Sequence, residues 1–199
     1  MSLIALALWP VRADAQAAGE ADDDVQVLLT TAEALREIFP DAAGVAEQHW
    51  RPTAAERSAL AERLGRGLYE PEYRFLLVYD RSRRFLGYAM VTEERGKYRP
   101  ITFMVGVTPA LAVKDAAVMV YRESRGGEVR RKRFLVQYRG KTLDDPIRIN
   151  RDIVNVSGAT ISVRSMNAGV RKVLALVDAA FDGGAPAAPA ELRPVESVR

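Results

Sequence analysis

The spacing of apolar positions along this chain switches from helical to strand-like near Tyr73 and back to helical after Thr160. Ahead of the first switch, VQVLLT (Val25 to Thr30) is a short strand candidate. TTAE then supplies Thr30 with Glu33 three residues on, a capping box that opens a helix running to about Phe39, where Pro40 stops it. Thr53 and Glu56 repeat the device. Leu60, Leu64 and Leu68 follow at four-residue spacing and predict a second helix. From Tyr73, YRFLLVYD, RFLGYAMVTEE, ITFMVGVT and VKDAAVMVYRE are rich in β-branched and aromatic residues and are separated by the turn signals DRSR, RGKYRP and TPAL. RFLVQYRG reads as a fifth strand. After Thr160, Val163, Met166, Val170, Val173, Leu174, Val177 and Phe181 recur on one helical stripe, with Arg164, Arg171 and Lys172 mostly off it.

These elements predict an α+β fold: two short N-terminal helices, a twisted antiparallel sheet and one long C-terminal helix. Strands that follow one another without intervening helices suit an antiparallel meander. One domain is expected over 25–182. Segment 1–15 resembles a signal peptide, with SLIALALW as its apolar run and a small-x-small site that places cleavage after Ala15. Segment 16–24 is an acidic linker, and the Gly/Pro/Ala-rich segment 183–199 is expected to be a disordered tail.

The chain has 199 residues, 48% hydrophobic and 28% charged, with ordinary globular values throughout. Its net charge of +3 is too small to argue for nucleic acid, and no nucleic-acid partner is expected. With no cysteine and one histidine, disulfides, thiolate nucleophiles and His/Cys metal clusters are excluded. A Ser-His-Asp triad would have to use His49, in AEQHWRP, and no G-x-S-x-G elbow accompanies it.

The pointed stretch is VNVSGATISV. Gly158 lets the backbone take a positive φ or approach a ligand, and Ala159 adds no bulk. Ser157, Thr160 and Ser162 bring hydroxyls. A helix beginning near Val163 would aim free N–H groups and the positive end of its dipole at this turn, which suits a phosphate. The plain alternative makes Ser162 an N-cap and Gly158 a turn residue, with no ligand.

Ser157-Gly158-Ala159-Thr160-Ile161-Ser162 resembles the S/T-G-A-T-x-S/T signature of FMN-binding domains, which include the covalently flavinylated subunits of the Na⁺-translocating NADH:quinone reductase and the Rnf complex. FLGYAMVTEERG, PITFMVGVT, VKDAAVMVYRESRGGEV, FLVQYRGK and TTAEALREIFPDA are similar to other parts of the same family, so the resemblance spans about 150 residues. It implies FMN joined by a phosphoester to Thr160 through a flavin transferase that uses FAD and Mg²⁺. Ser157, Gly158, Ala159 and Ser162 would lie around the phosphate. Glu123, Gly126 and Gly127 would stand where the family's glycine loop nears the cofactor. Val154 occupies the place where many members carry an acid, Asp152 is the nearest acid, and ESRGGEV replaces the family's Pro-Gly-Leu-Gly type of turn.

The implied function is an exported electron carrier, periplasmic or tethered to the outer face of the cytoplasmic membrane. It would work between redox donor and acceptor proteins, themselves membrane-associated. A cofactor-less binding module on the same fold and a flavin-dependent reductase of a small substrate are the alternatives. The stretch 122–141 carries eight basic residues against Glu123 and Glu128. It reads as a solvated face, as a dock for an acidic partner or anionic lipid, or, through Arg122 or Arg125, as a flavin contact.

Overall fold

The computed structural model describes residues 25–123, 125–182, 184 and 186–198. The signal-like segment and the acidic linker lie outside the described residues. Element order is β1 (Gln26–Val27), α1 (Thr31–Ile38), β2 (Gly44–Trp50), α2 (Ala54–Leu64), β3 (Tyr73–Tyr79), β4 (Phe85–Arg95), β5 (Pro100–Val107), β6 (Val113–Tyr121), α3 (Lys132–Leu135), α4 (Thr160–Phe181) and β7 (Arg193–Pro194). Both capping boxes form. The Glu33 amide donates to Thr30 Oγ1 at 3.3 Å and the Glu56 amide to Thr53 Oγ1 at 3.3 Å, while each glutamate accepts from its threonine's amide.

The strands make one antiparallel sheet in the order β1-β6-β5-β4-β3-β2-β7. Strands β2 to β6 form the expected meander. The fold is therefore the α+β arrangement anticipated, with differences that have physical causes. Strand β2 escaped the sequence reading because Glu47, Gln48 and His49 dilute its apolar signal, yet it pairs with β3 from Gly44↔Tyr79 to Trp50↔Tyr73. RFLVQYRG is no strand: it forms α3 and a 3-10 turn, Val136–Tyr138. Phe134, Leu135 and Tyr138 are buried at helical spacing, and Val136 between them is exposed. The tail expected to be disordered instead adds β7 to the edge of β2, seats Val195 and Val198 in the core, and joins Glu196 to Arg36 at 2.6 Å. The Gly/Pro/Ala composition hid two buried valines and an edge left open by β2.

Both faces of the sheet are covered, which explains the nearly unbroken apolar run of β3. On one face Phe75, Leu77, Tyr88, Phe103, Val105 and Val118 pack against Val163, Met166, Val170, Val173, Leu174 and Val177 of α4. On the other, Leu76, Val78, Ala89, Met104 and Met119 meet Leu35, Ile38 and Phe39, with Val195 and Val198. Lys172, expected off the apolar stripe, is buried. Its ammonium lies 3.1 Å from Glu94 and 3.4 Å from Glu70, and Arg66 holds Glu94 through two bonds of 2.6 and 2.7 Å. Pairing of this kind is what lets charges sit inside.

Helix α4 packs tightly on the sheet at Gly169, where a Cβ would stand 2.4 Å from Phe103 Cζ and 2.8 Å from Glu94 Cγ. Gly169→Ala is therefore expected to destabilise the fold by about 1–3 kcal/mol. A lower urea midpoint with an unchanged m value checks it.

Candidate functional site

Helix α4 starts at Thr160, three residues earlier than the apolar stripe suggested, and Ala159 takes the cap position with no side-chain cap bond. Ser162 is thus not an N-cap. It sits buried in the first turn, its Oγ 3.3 Å from the Tyr121 hydroxyl. The first amide to enter the helical ladder is that of Val163, bonded to Ala159 O at 2.9 Å. The N–H groups of Thr160, Ile161 and Ser162 consequently have no intrahelical acceptor, and no acidic side chain stands in the first turn to use them. Gly158 takes φ +78, which turns the exposed Ser157-Gly158 pair ahead of the helix.

Three segments distant in sequence close around this helix start. The β4–β5 hairpin contributes Lys97 and Tyr98, the loop after β6 contributes Glu123 and Arg125, and the turn and first helical residues contribute Gly158 to Ser162. Together they line a cleft of 590 Å³. A second cleft of 480 Å³ adjoins it across Gly158, lined by Ser157, Gly126, Gly127, Glu128 and Arg130 among others.

Side chains bonded to backbone hold the segments in register. Glu123 is buried and accepts the amides of Tyr98 at 2.7 Å and Arg99 at 3.0 Å, which pins the hairpin. Burial raises the Tyr121 phenol above its ordinary value, so it stays a hydroxyl and donates to Arg125 O at 2.6 Å. Gly126 at φ +82 leaves no room for a side chain: a Cβ would lie 2.8 Å from Ser162 Oγ and 2.9 Å from Tyr121 Oη.

Thr160 is half-buried on the cleft wall, and Asn155 Nδ2 donates to its Oγ1 at 2.9 Å. The Asn155 Oδ1 is buried with no partner among the described residues. Val154 is exposed where an acid was looked for, its amide bonded to Gln137. Asp152 is occupied elsewhere. Burial would raise its carboxyl, but the Arg148 and Ile147 amides and the Lys141 ammonium at 3.0 Å outweigh that and hold it below the usual range.

All eight residues singled out in the sequence lie on this pair of clefts: Thr160, Ser157, Gly158, Ala159, Ser162, Glu123, Gly126 and Gly127. Glu123 reaches the cleft while spending its carboxylate on the hairpin. Arg125 lines both clefts, whereas Arg122 bonds Thr102 Oγ1 at 2.8 Å and Pro100 O at 3.2 Å. Lys97, Tyr98, Tyr121 and Asn155 were missed. RGKYRP signalled only a turn, and nothing local said which cleft it would border. His49 is apart, on β2, bonded to Glu72 and Glu47.

The donor set fits a phosphate-bearing cofactor. Free helical amides, two cationic side chains and the Thr160 hydroxyl border space large enough for a ring system. Fold and cleft together define a small α+β cofactor cradle. Residues 96–175 match the model of the FMN-binding domain family. In fold it is similar to NqrC of Shewanella oneidensis, known from a crystal structure, with a TM-score of 0.50 and 18% identity over 70% of this chain and 81% of that one. No curated protein matches the sequence.

Two outcomes are expected. Gly126→Ala strains a left-handed position and drives apart the loop and helix start, so retained FMN falls at least ~10-fold, read as flavin absorbance per protein after desalting. The Glu72 and Glu47 hydrogen bonds raise His49 above 6.5. The stabilisation is complete below that value and is lost as pH rises through the folded-state value. An NMR titration of the ring should show a midpoint above 6.5 that Glu72→Gln moves back towards it.

Proposed function

We propose that this cradle carries FMN as a redox group for electron transfer, held by a phosphoester to Thr160. The observation that carries the reading is the place of Thr160: first residue of α4, on the cleft wall, beside the free amides of the first turn. A phosphate esterified there would meet the helix's positive end, with Arg125 and Lys97 on the same cleft wall. Asn155 Nδ2 suits both states of the threonine, because a hydroxyl and an ester oxygen both accept its bond.

In the maturation step Thr160 Oγ bonds to the FMN-side phosphorus of FAD. The bond from that phosphorus to the bridging oxygen breaks, AMP leaves with that oxygen, and the threonine proton passes to solvent. A flavin transferase with Mg²⁺ supplies this chemistry. The bound FMN supplies one- and two-electron transfer. The chain's own residues orient and shield it: Glu123 fixes the hairpin wall, Gly126 lets the loop close, and Tyr121 ties that loop to its own carbonyl.

The apolar N-terminal run and its small-x-small site support export, with the mature chain working outside the cytoplasm or tethered there. A covalent link suits a compartment with no FMN pool. Redox proteins at the membrane are then the donor and acceptor.

Intact mass after co-expression with a flavin transferase tests the reading. Wild type should gain one FMN less water and fluoresce in a denaturing gel, and Thr160→Ala should do neither. Wild type that gains no mass yet releases FMN on denaturation would leave a non-covalent cradle.

A further inference from the structure

We propose that the mouth of the FMN cleft is a docking face for an acidic redox protein. The inference rests on the FMN reading of the same cleft and adds the chemistry of the partner. Charge is distributed unevenly along the chain. Segment 95–99 carries three cations, and 122–133 carries six cations against two carboxylates, a net +7 in a chain whose total is +3. Everything else therefore sums to −4, matched in number by the acids at Glu20 and Asp22 to Asp24.

The structure brings these two basic segments together, because Glu123 binds the amides of Tyr98 and Arg99. Away from the cleft, several arginines pair with carboxylates: Arg51 with Glu72, Arg63 with Asp178, Arg84 with Asp80 and Arg139 with Asp115. Lys97, Arg125 and Arg131 at the clefts, and Arg95 at the end of β4 beside them in sequence, are all exposed and have no carboxylate partner among the described residues. One phosphodiester bears one negative charge, so these cations exceed what the cofactor neutralises. Between them Tyr98 is 73% exposed and Ile161 43% exposed, both on the cleft wall. The Lys97 ammonium lies 4.7 Å from the Tyr98 ring centre, and an exposed aromatic among cations suits a protein-binding centre.

Cations crowded at one opening steer an anionic partner towards it and set its orientation. The group recessed there is the redox cofactor, so the body steered is the one that exchanges electrons with it. A bilayer meets the same charges, and so could the chain's own acidic run, which in sequence directly precedes β1, where Gln26 accepts a bond from Arg130. Both are outcomes of the test.

The full chain, with and without FMN, is titrated with poly-L-glutamate by calorimetry over a salt series. Binding should weaken steeply with salt. It should fall at least ~10-fold in the triple variant Arg95→Gln, Lys97→Gln, Arg131→Gln, and hold in Arg51→Gln and Arg84→Gln. The reduced FMN-loaded protein is then mixed with ferricyanide or hexaammineruthenium(III). Each reduced FMN gives two electrons, one to each of two ions, and its protons go to solvent. Ferricyanide should slow by ~10-fold or more between low and high salt while the ruthenium cation quickens.

Flat salt dependence, or equal loss in the control variants, overturns the proposal. So does flotation with phosphatidylglycerol vesicles that the triple variant abolishes, which assigns the face to lipid. Binding of poly-L-glutamate only after Glu20, Asp22, Asp23 and Asp24 are neutralised assigns it to the chain's own linker. Protein that takes up no FMN removes the cofactor reading, and the redox role of the face with it, whatever poly-L-glutamate does.

Discussion

The close seat of α4 on the sheet governs the rest of the molecule. Gly169 removes the side chain at the point where the helix crosses Phe103 and Glu94, and the apolar stripe from Val163 to Val177 follows it into the core. At 1.5 Å per residue, 22 residues span about 33 Å, so a small change in that seat would swing the helix start through a larger displacement. Ser165 Oγ, bonded to Arg95 O at 2.5 Å, ties the first turns to the β4–β5 hairpin. Lys172, Glu94 and Arg66 brace the helix further along. Thr160 is where it is because the helix beneath it cannot lie anywhere else.

Around that fixed point the cradle is built from segments with little regular structure. Regular backbone ladders cannot reach between a hairpin turn, a loop and a helix start, so side chains do: Glu123 to two amides, Tyr121 to a carbonyl and Ser162, Asn155 to Thr160. Each of these groups is buried or half-buried, where a lost bond leaves a polar group unpaired at a cost of about 1–3 kcal/mol. The walls are thereby held before any cofactor arrives, which reduces the ordering that binding requires. The family match covers 96–175, the stretch that contains all three segments. The chain before it supplies α1, α2 and strands β1 to β4, whose contribution is to back the sheet on which α4 rests.

Much of this was legible along the chain because it depends on neighbours in sequence. Capping boxes act over three residues, a helical stripe over four, and strand signals over two. Thr30/Glu33, Thr53/Glu56, the strands from Tyr73 and the stripe on α4 therefore followed from local pattern. The SGAT turn was legible for the same reason, since a small-residue turn before a helix is itself a local object.

What depended on partners far away in sequence was decided only by the tertiary structure. GVAEQHW is a strand because β3 offers it an edge, and the C-terminal tail is ordered because β2 offers another. RFLVQYRG has strand composition, yet burial of Phe134, Leu135 and Tyr138 winds it into a helical turn. Lys172 reads as a surface residue until Glu94 and Glu70 arrive from elsewhere. The sequence by itself determined the fold class and marked the small-residue turn at the start of α4. Which side chains surround that residue was settled by how distant segments pack, because a hydrogen bond from Glu123 to Tyr98 has no trace in the spacing of either.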